Sequence, residues 1–205
     1  MGRPRKFDED QVLEKARDQF WRSGYDATSM QILCEATGVA SQSLYGVFGS
    51  KHDLFVRALE AYCARQVAGL ASILAESPDP WGSLMDAVTF ENDGRLPLGV
   101  DGCFLASSAT TLARRDDRVR ELSRRTYRDI LGVVRGQLER ARTAGQVRED
   151  VDLDSVAAGL LTSMQGIEFL AKSGLEDSLL EKARAATVAM LTAAYAGQPR
   201  NDDEA

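Results

Sequence analysis

The apolar residues of this chain recur three and four positions apart along almost its whole length. No stretch alternates apolar and polar residues beside a hairpin turn, which is what a half-buried strand requires. The pattern therefore predicts an all-α fold. Val12, Ala16 and Phe20, with Leu13 beside them, set an amphipathic helix over 9–23, capped by Asp8 and stopped at Gly24. Thr28 or Ser29 opens a second, short helix ending at Thr37-Gly38, with Gln31 three residues after Thr28 as in a capping box. A third begins near Ser41, carries Leu44, Tyr45, Val47 and Phe48, and breaks at Gly49-Ser50. Ser50 and Asp53 form another capping pattern and open a longer helix reaching Leu74.

Ser77-Pro78-Asp79-Pro80 is the strongest punctuation, since two prolines in three residues cannot continue a helix. Beyond it helices are expected over 81–90, 101–113, 116–144, 156–172 and 176–195, with a Gly/Pro loop over 92–99. Composition bounds what such a bundle can do. With 205 residues, 44% hydrophobic and 27% charged, the chain can bury a core as one large or two small domains. Its net charge of −6 and pI near 5.0 argue against coating nucleic acid or anionic membrane nonspecifically, so any DNA contact must be local. No run approaches a membrane span, and Met1 to Lys6 leads into acidic residues rather than a signal-peptide core, so the cytoplasm is the expected compartment. Cys34, Cys63 and Cys103 are isolated and His52 is the one histidine, which disfavours a disulfide framework, a zinc cage or a catalytic dyad. Neither a phosphate-binding glycine loop nor a nucleophile–base pair is present, so no metal, cofactor or enzymatic role is expected.

Two short helices joined by Gly38-Val39-Ala40 behind a longer one make a helix-turn-helix pattern, whose second member enters the DNA major groove. The ordered series Gly24-Tyr25, Thr28-Ser29, Ile32, Gly38-Val39, Leu44-Tyr45, Phe48-Gly49-Ser50-Lys51, Leu54-Phe55 closely resembles the DNA-binding domain of the TetR family of bacterial transcriptional repressors. The resemblance covers roughly residues 5–55. It implies an all-helical homodimer with a DNA-binding domain over 1–55, an effector-binding and dimerisation domain over 56–199, and an acidic tail over 200–205.

Leu13, Phe20, Ile32, Val39, Leu44 and Phe48 read as the core of the small head. Ser41, Gln42, Ser43 and Gly46 lie where a major-groove reader meets base edges, and Gln42 suits bidentate pairing with adenine; a merely solvated helix face has the same pattern. By resemblance, Tyr45 reaches DNA backbone or bases, and Thr28, Ser29 and Lys51 match phosphate-contacting positions at helix starts. Two departures stand out. Ala40 replaces the usual Ser before the recognition helix, which would move the cap to Ser41, and Val47 replaces a common His or Tyr. Residues 1–53 hold seven basic and eight acidic side chains, so charge alone does not mark this head as DNA-binding. Arg3, Arg5 and Lys6 concentrate cations in an arm suited to a minor groove or to phosphates; the alternative is a solubilising tail.

The Arg-rich stretch 114–128 is interleaved with Asp116, Asp117 and Glu121, which suits helix pairs at i,i+3 and i,i+4 better than a second nucleic-acid surface. Stripes at Val156, Leu160, Met164, Ile167 and Ala171, and at Leu179, Ala183, Ala186, Met190 and Ala194, are compatible with the dimer bundle that the resemblance places on the last two helices, or with burial inside one subunit. Candidate pocket linings are Trp81, Met85, Phe90, Cys103, Phe104, Tyr127, Leu131, Met164 and Phe169. Cys103 falls near a helix start, which favours thiolate and would suit an electrophile or oxidant sensor; as a small buried hydrophobe it would be inert. The expected function is a repressor that a small molecule releases from a near-palindromic operator. A helical protein-interaction module without DNA is the alternative.

Overall fold

The computed structural model describes residues 7–89 and 103–197. Among these, the elements are α1 (Glu9–Ser23), α2 (Met30–Thr37), α3 (Ser41–Phe48), α4 (Lys51–Glu76), α5 (Pro80–Thr89), α6 (Phe104–Leu112), α7 (Asp117–Thr143), α8 (Leu153–Lys172) and α9 (Asp177–Tyr195). No strand occurs among them, only an isolated antiparallel bridge between Val147 and Ala196. The all-α reading is correct. Arg3, Arg5, Lys6, Phe90, the loop expected over 92–99, Asp101 and the acidic tail lie outside the described residues.

Local chemistry explains the helix ends. The Asp8 carboxylate accepts the N–H groups of Asp10 and Gln11 and starts α1 where expected. Of the two hydroxyls offered to α2, Ser29 is the cap, accepting the Ile32 N–H at 3.2 Å, while Thr28 is fully buried and donates to the Gly24 carbonyl at 2.7 Å. Gln31 completes no box; it donates to Glu35 one turn on. Gly38 ends α2 at φ 73°, a left-handed conformation that costs an L side chain energy, and this lets α3 turn away sharply. Ala40 remains the residue before α3 and supplies no side-chain bond, so the cap does not shift to Ser41. Pro80 takes the first position of α5, where its missing N–H costs nothing, and Asp79 accepts the Gly82 N–H. The thiol of Cys103 caps α6, accepting the Ala106 N–H at 3.4 Å.

By packing, the chain divides into two compact units, Met1–Arg65 with Cys103–Thr126, and Gln66–Gly102 with Tyr127–Ala205. In the first, Val12, Leu13, Ala16, Phe20, Leu33, Leu44, Phe48, Leu54, Phe55 and Leu59 are buried together with Phe104 from α6. Leu33 takes the buried place on α2, whereas Ile32 and Val39, expected in the core, are partly exposed. Phe104 lies 5.9 Å from Trp21, 5.9 Å from Phe55 and 5.7 Å from Tyr62, centroid to centroid, so α6 completes the aromatic core beneath the short helices.

The second unit is built around Leu70, Leu74, Trp81, Leu84, Met85, Val88, Val134, Leu138, Val156, Leu160 and Ile167. Its buried Gln137 and Ser83 side chains are hydrogen-bonded. The Gln137 amide donates to the Leu74 carbonyl and the Ser83 hydroxyl, and Arg140 donates to the Leu74 and Ser77 carbonyls, which closes the end of α4. At the other end of the chain, Arg148 N–H donates to the Tyr195 carbonyl and Gly197 N–H to the Gln146 carbonyl, lacing the end of α9 to the α7–α8 turn. A Cβ at Gly197 would collide with the Gly145 carbonyl oxygen, so this lacing depends on glycine.

Candidate nucleic-acid interface

Helix α3 is only two turns long, and burial divides it cleanly. Leu44 and Phe48 face the core, Ser43 and Val47 are half-buried at its margin, and Ser41, Gln42, Tyr45 and Gly46 form the outward face. Positions 41, 42, 45 and 46 share one side of a helix, and the structure brings these four expected DNA contacts onto one surface. Tyr45 is 47% exposed, a large aromatic left in solvent on the outward face of the helix. Nothing lies within 4 Å of a Cβ added at Gly46, so packing inside the chain does not require glycine there. A helix-interior glycine is destabilising by about 0.5–1 kcal/mol relative to alanine. The amide and carbonyl of Gln42 match the adenine edge, and the serine hydroxyls can both donate and accept.

The residues at the edge of this face are placed differently from the sequence expectation. Ser29 is exposed at the start of α2, where unsatisfied N–H groups favour an anion. Thr28 is turned inward, so its hydroxyl is not available to a phosphate. The Lys51 ammonium donates to the carbonyls of Tyr25 at 3.0 Å and Thr28 at 2.9 Å, and lies 4.2 Å from the centre of the Tyr25 ring. That cation holds the α1–α2 turn against the start of α4. Ser50 and Asp53 bond reciprocally at the start of α4, the hydroxyl donating to the carboxylate at 2.5 Å and accepting the Asp53 N–H at 3.0 Å.

The arginines after α6 also depart from the expected pattern. Arg120 pairs with Asp117 one turn away, as the spacing predicts. Arg115, Arg118 and Arg125 instead reach Asp26, Asp53 and Glu60, residues 89, 65 and 65 positions away in sequence. His52 Nε2 lies 2.6 Å from Asp116, whose side chain is only 16% exposed. Burial works against the Asp116 charge, but the bonds from His52 and from the Val119 N–H hold its carboxyl below the usual range. Bonds from the Ser50 hydroxyl and the Arg118 guanidinium lower Asp53 as well. Burial, helped by Asp116 and Asp26, pushes the Tyr25 hydroxyl up.

The residues expected to line an effector pocket are divided between the two units. Trp81 and Met85 are core residues of the second unit, Leu131 and Met164 pack partly buried against that core, Tyr127 is half-buried and Phe169 is 69% exposed. Cys103 and Phe104 belong to the first unit. A groove of about 740 Å³ runs along α5 and α9, lined by Thr89, Glu181, Arg184, Val188 and a row of alanines, and none of the expected residues line it. Of the expected dimer contacts, Leu160 and Ile167 are buried in their own subunit's core, because their face of α8 packs inward. Ala183 is half-buried, Ala186 exposed and Met190 72% exposed. Leu179, expected on the dimer stripe, Phe169, expected in the pocket, and Leu170, which carried no expectation, join Met190 as exposed large apolar side chains on the last two helices. Among the described residues no group of three or more His, Cys, Asp or Glu could hold a metal, and no helix is long and apolar enough to cross a membrane.

Family models agree with both halves of this layout. The model described as bacterial regulatory proteins, tetR family, matches residues 12–58, and the tetracyclin repressor-like C-terminal domain matches residues 90–187. The chain is 32% identical over 178 residues to an uncharacterized HTH-type transcriptional regulator, YezE, of Bacillus subtilis strain 168, covering 84% of this chain and 90% of the relative. It is 29% identical over 175 residues to the HTH-type transcriptional repressor ComR of Escherichia coli strain K12, covering 84% of this chain and 83% of ComR. Its fold is similar to that of a TetR-family regulator from Cytophaga hutchinsonii, with a TM-score of 0.84 at 18% identity over 93% of this chain and 96% of the other. It is also similar to a cysteine-substituted form of the TetR-family regulator CifR, solved with a 26-base-pair operator duplex, with a TM-score of 0.74 at 26% identity over 92% of this chain and 98% of that one.

Proposed function

Because the chain belongs to the TetR family of bacterial regulatory proteins and is a helix-turn-helix transcriptional regulator, we propose that it binds a near-palindromic operator as a homodimer and is released by a small-molecule effector. The observation that carries this reading is the outward face of α3, where Ser41, Gln42, Tyr45 and Gly46 stand together with no partner inside the chain's own core. Ser43 supports its margin, Ser29 offers the N-terminus of α2 to phosphate, and Arg3, Arg5 and Lys6 add cations in an arm. Residues 1–55 thus read DNA, and residues 56–199 bind the effector and dimerise. Two recognition helices related by a two-fold axis would enter successive major grooves about 34 Å apart.

The second copy covers Phe169, Leu170, Leu179 and Met190, apolar side chains that one chain leaves in water. Such a regulator acts in the cytoplasm and works by binding alone, without a catalytic step. Its switch follows from linkage, since an effector weakens DNA binding only by preferring the conformation that does not fit the operator. Cys103 supports a reading of the effector as an electrophile or oxidant: its half-exposed thiol caps α6 immediately before Phe104, which packs on Trp21 of α1. Selection of bound fragments from a random duplex library tests the assignment. A two-fold-symmetric sequence with half-sites one helical turn apart is expected. Enrichment of no sequence at low salt would overturn DNA reading and leave the protein-interaction alternative.

A further inference from the structure

The α1–α2 turn carries no base-reading residue, yet five bonds converge on it and on the first turn of α4. Lys51 ties the carbonyls of Tyr25 and Thr28, Arg115 ties Asp26, Asp116 ties His52, and Arg118 ties Asp53. Tyr25 and His52 also meet edge to face at 6.1 Å. Three of these anchors come from residues 115–118, where the α6–α7 turn runs into the first residues of α7. Asp116 has a second task in that turn, accepting the N–H groups of Arg118 and Val119 and so capping α7. The turn is therefore tied to the start of α7 by its own cap and bonds the head at three points.

Exposed ion pairs such as Arg115–Asp26 contribute little to global stability, because solvent screens them and both side chains lose freedom on pairing. What they fix is direction. Asp26 lies three residues before Ser29, the cap of α2, and α2 leads through Gly38 into α3. We infer that Arg115, Asp116 and Arg118 are positioning residues for DNA recognition, acting through the α1–α2 turn and Lys51 to hold the start of α2, and with it α3, at the height that the grooves require. The inference rests on the DNA-reading assignment above. It also gives the basic stretch after α6 a task on the protein rather than on phosphate.

The decisive variant is Asp26→Arg, because two explanations predict opposite signs. If charge near the DNA face governs binding, an added cation tightens it. If the pair positions the turn, Asp26→Arg weakens binding to the duplex enriched by the wild-type chain about three- to fivefold, the scale of a lost exposed pair. Binding to a scrambled duplex should change less, and the melting temperature should stay near wild type. Arg115→Asp should weaken binding similarly, and Arg115→Asp with Asp26→Arg should restore it to within about twofold, the reversed pair being of the same kind. Asp116→Asn keeps a capping side chain but removes the charge facing His52, and should weaken binding by about fivefold. The salt slope separates positioning from contact. It should be unchanged in Asp116→Asn, and Arg118→Gln should leave it unchanged too, whereas a lost phosphate contact lowers it by about 0.9.

Hydrogen exchange of residues 25–33 without DNA gives a readout independent of operator binding. It should speed up in Asp26→Arg and in Arg115→Asp and recover in the double variant. Tighter binding by Asp26→Arg, a reduced slope in Arg118→Gln, or exchange that none of the variants alters would each overturn the inference. If the library returned no sequence, the DNA assignment would fall by itself, and the exchange measurements would still decide whether residues 115–118 hold the turn.

Discussion

Helices α3 and α9 both leave one face in water, and the two faces differ in kind. On α3 the outward positions are small or hydrogen-bonding, with one amphipathic ring: Ser41, Gln42, Tyr45 and Gly46. On α9 Leu179, Met190 and several alanines are exposed beside Glu181 and Lys182, while Leu180 and Leu191 of the same helix are buried. A surface that donates and accepts hydrogen bonds suits a hydrated polar partner, whose own groups need replacements for water. An apolar surface gains only by leaving water altogether, and so suits another protein surface of the same character. The two helices point to two different partners through the same rule, that an exposed face reports what it was selected to meet.

The largest effect should come from charge placed on the apolar face. Met190→Asp with Phe169→Asp should convert a dimer to monomers in sedimentation at micromolar concentration, since a carboxylate desolvated without a partner costs about 3–5 kcal/mol. The chain should remain helical. Ile167→Asp is the contrasting variant. Its side chain is buried in the subunit's own core, so it should lower the melting temperature steeply at any protein concentration. A stable dimer in the double variant would break the comparison by moving the interface off α8 and α9.

On the polar face the effects should be smaller and confined to DNA. Gln42→Ala and Tyr45→Ala should each cost about 1–3 kcal/mol of operator binding, measured at matched salt, with circular dichroism unchanged. Gly46→Ala sharpens the contrast, because it should stabilise α3 by about 0.5–1 kcal/mol while weakening operator binding through its methyl group. A variant that is both more stable and tighter-binding would show that no backbone approach occurs there. The smallest effects concern titration. Burial pushes the Cys63 thiol up to about 12, so alkylation of the folded chain near pH 8 should be slowest there and faster at half-exposed Cys34 and Cys103, as read by mass spectrometry. Equal rates at all three thiols would remove Cys103 as a handle. Asp53 and Asp116 are held below their ordinary range in the folded chain, so the stability they contribute is present above the unfolded value and is lost as pH falls through the folded one. Acid unfolding below about pH 4 should therefore be shallower in Asp116→Asn.

The helices were legible because a period of 3.6 is written along the chain, and Asp8, Gly24, Gly38 and the Pro78–Pro80 break mark their ends. The face of α3 was legible for the same reason, as Leu44 and Phe48 fix which side is inward. Periodicity does not see which of two neighbouring hydroxyls the backbone will aim at the helix, so Thr28 and Ser29 could not be separated beforehand. Nor does it see partners far away in sequence. Lys51 looks like any exposed cation until the carbonyls of Tyr25 and Thr28 are placed beside it, and Arg115 gives no sign in sequence of pairing with Asp26. Nor does periodicity separate a pocket lining from a core. A large apolar side chain beyond the linker is as good a core residue as a ligand contact, and Trp81 and Met85 are core.

The lacing at the end of α9 bears on the energetics of assembly. A helix free at its terminus frays, and a partner that needs it ordered must offset the conformational entropy lost on docking. Here the Tyr195 carbonyl and the Gly197 N–H are already tied to Arg148 and Gln146, so the helix bearing Leu179 and Met190 is immobilised at its end before any partner arrives. Association then has less disorder to remove, and more of the apolar burial appears as affinity. In the proposed dimer, two backbone bonds outside the contact area would thus help set the concentration at which two chains associate.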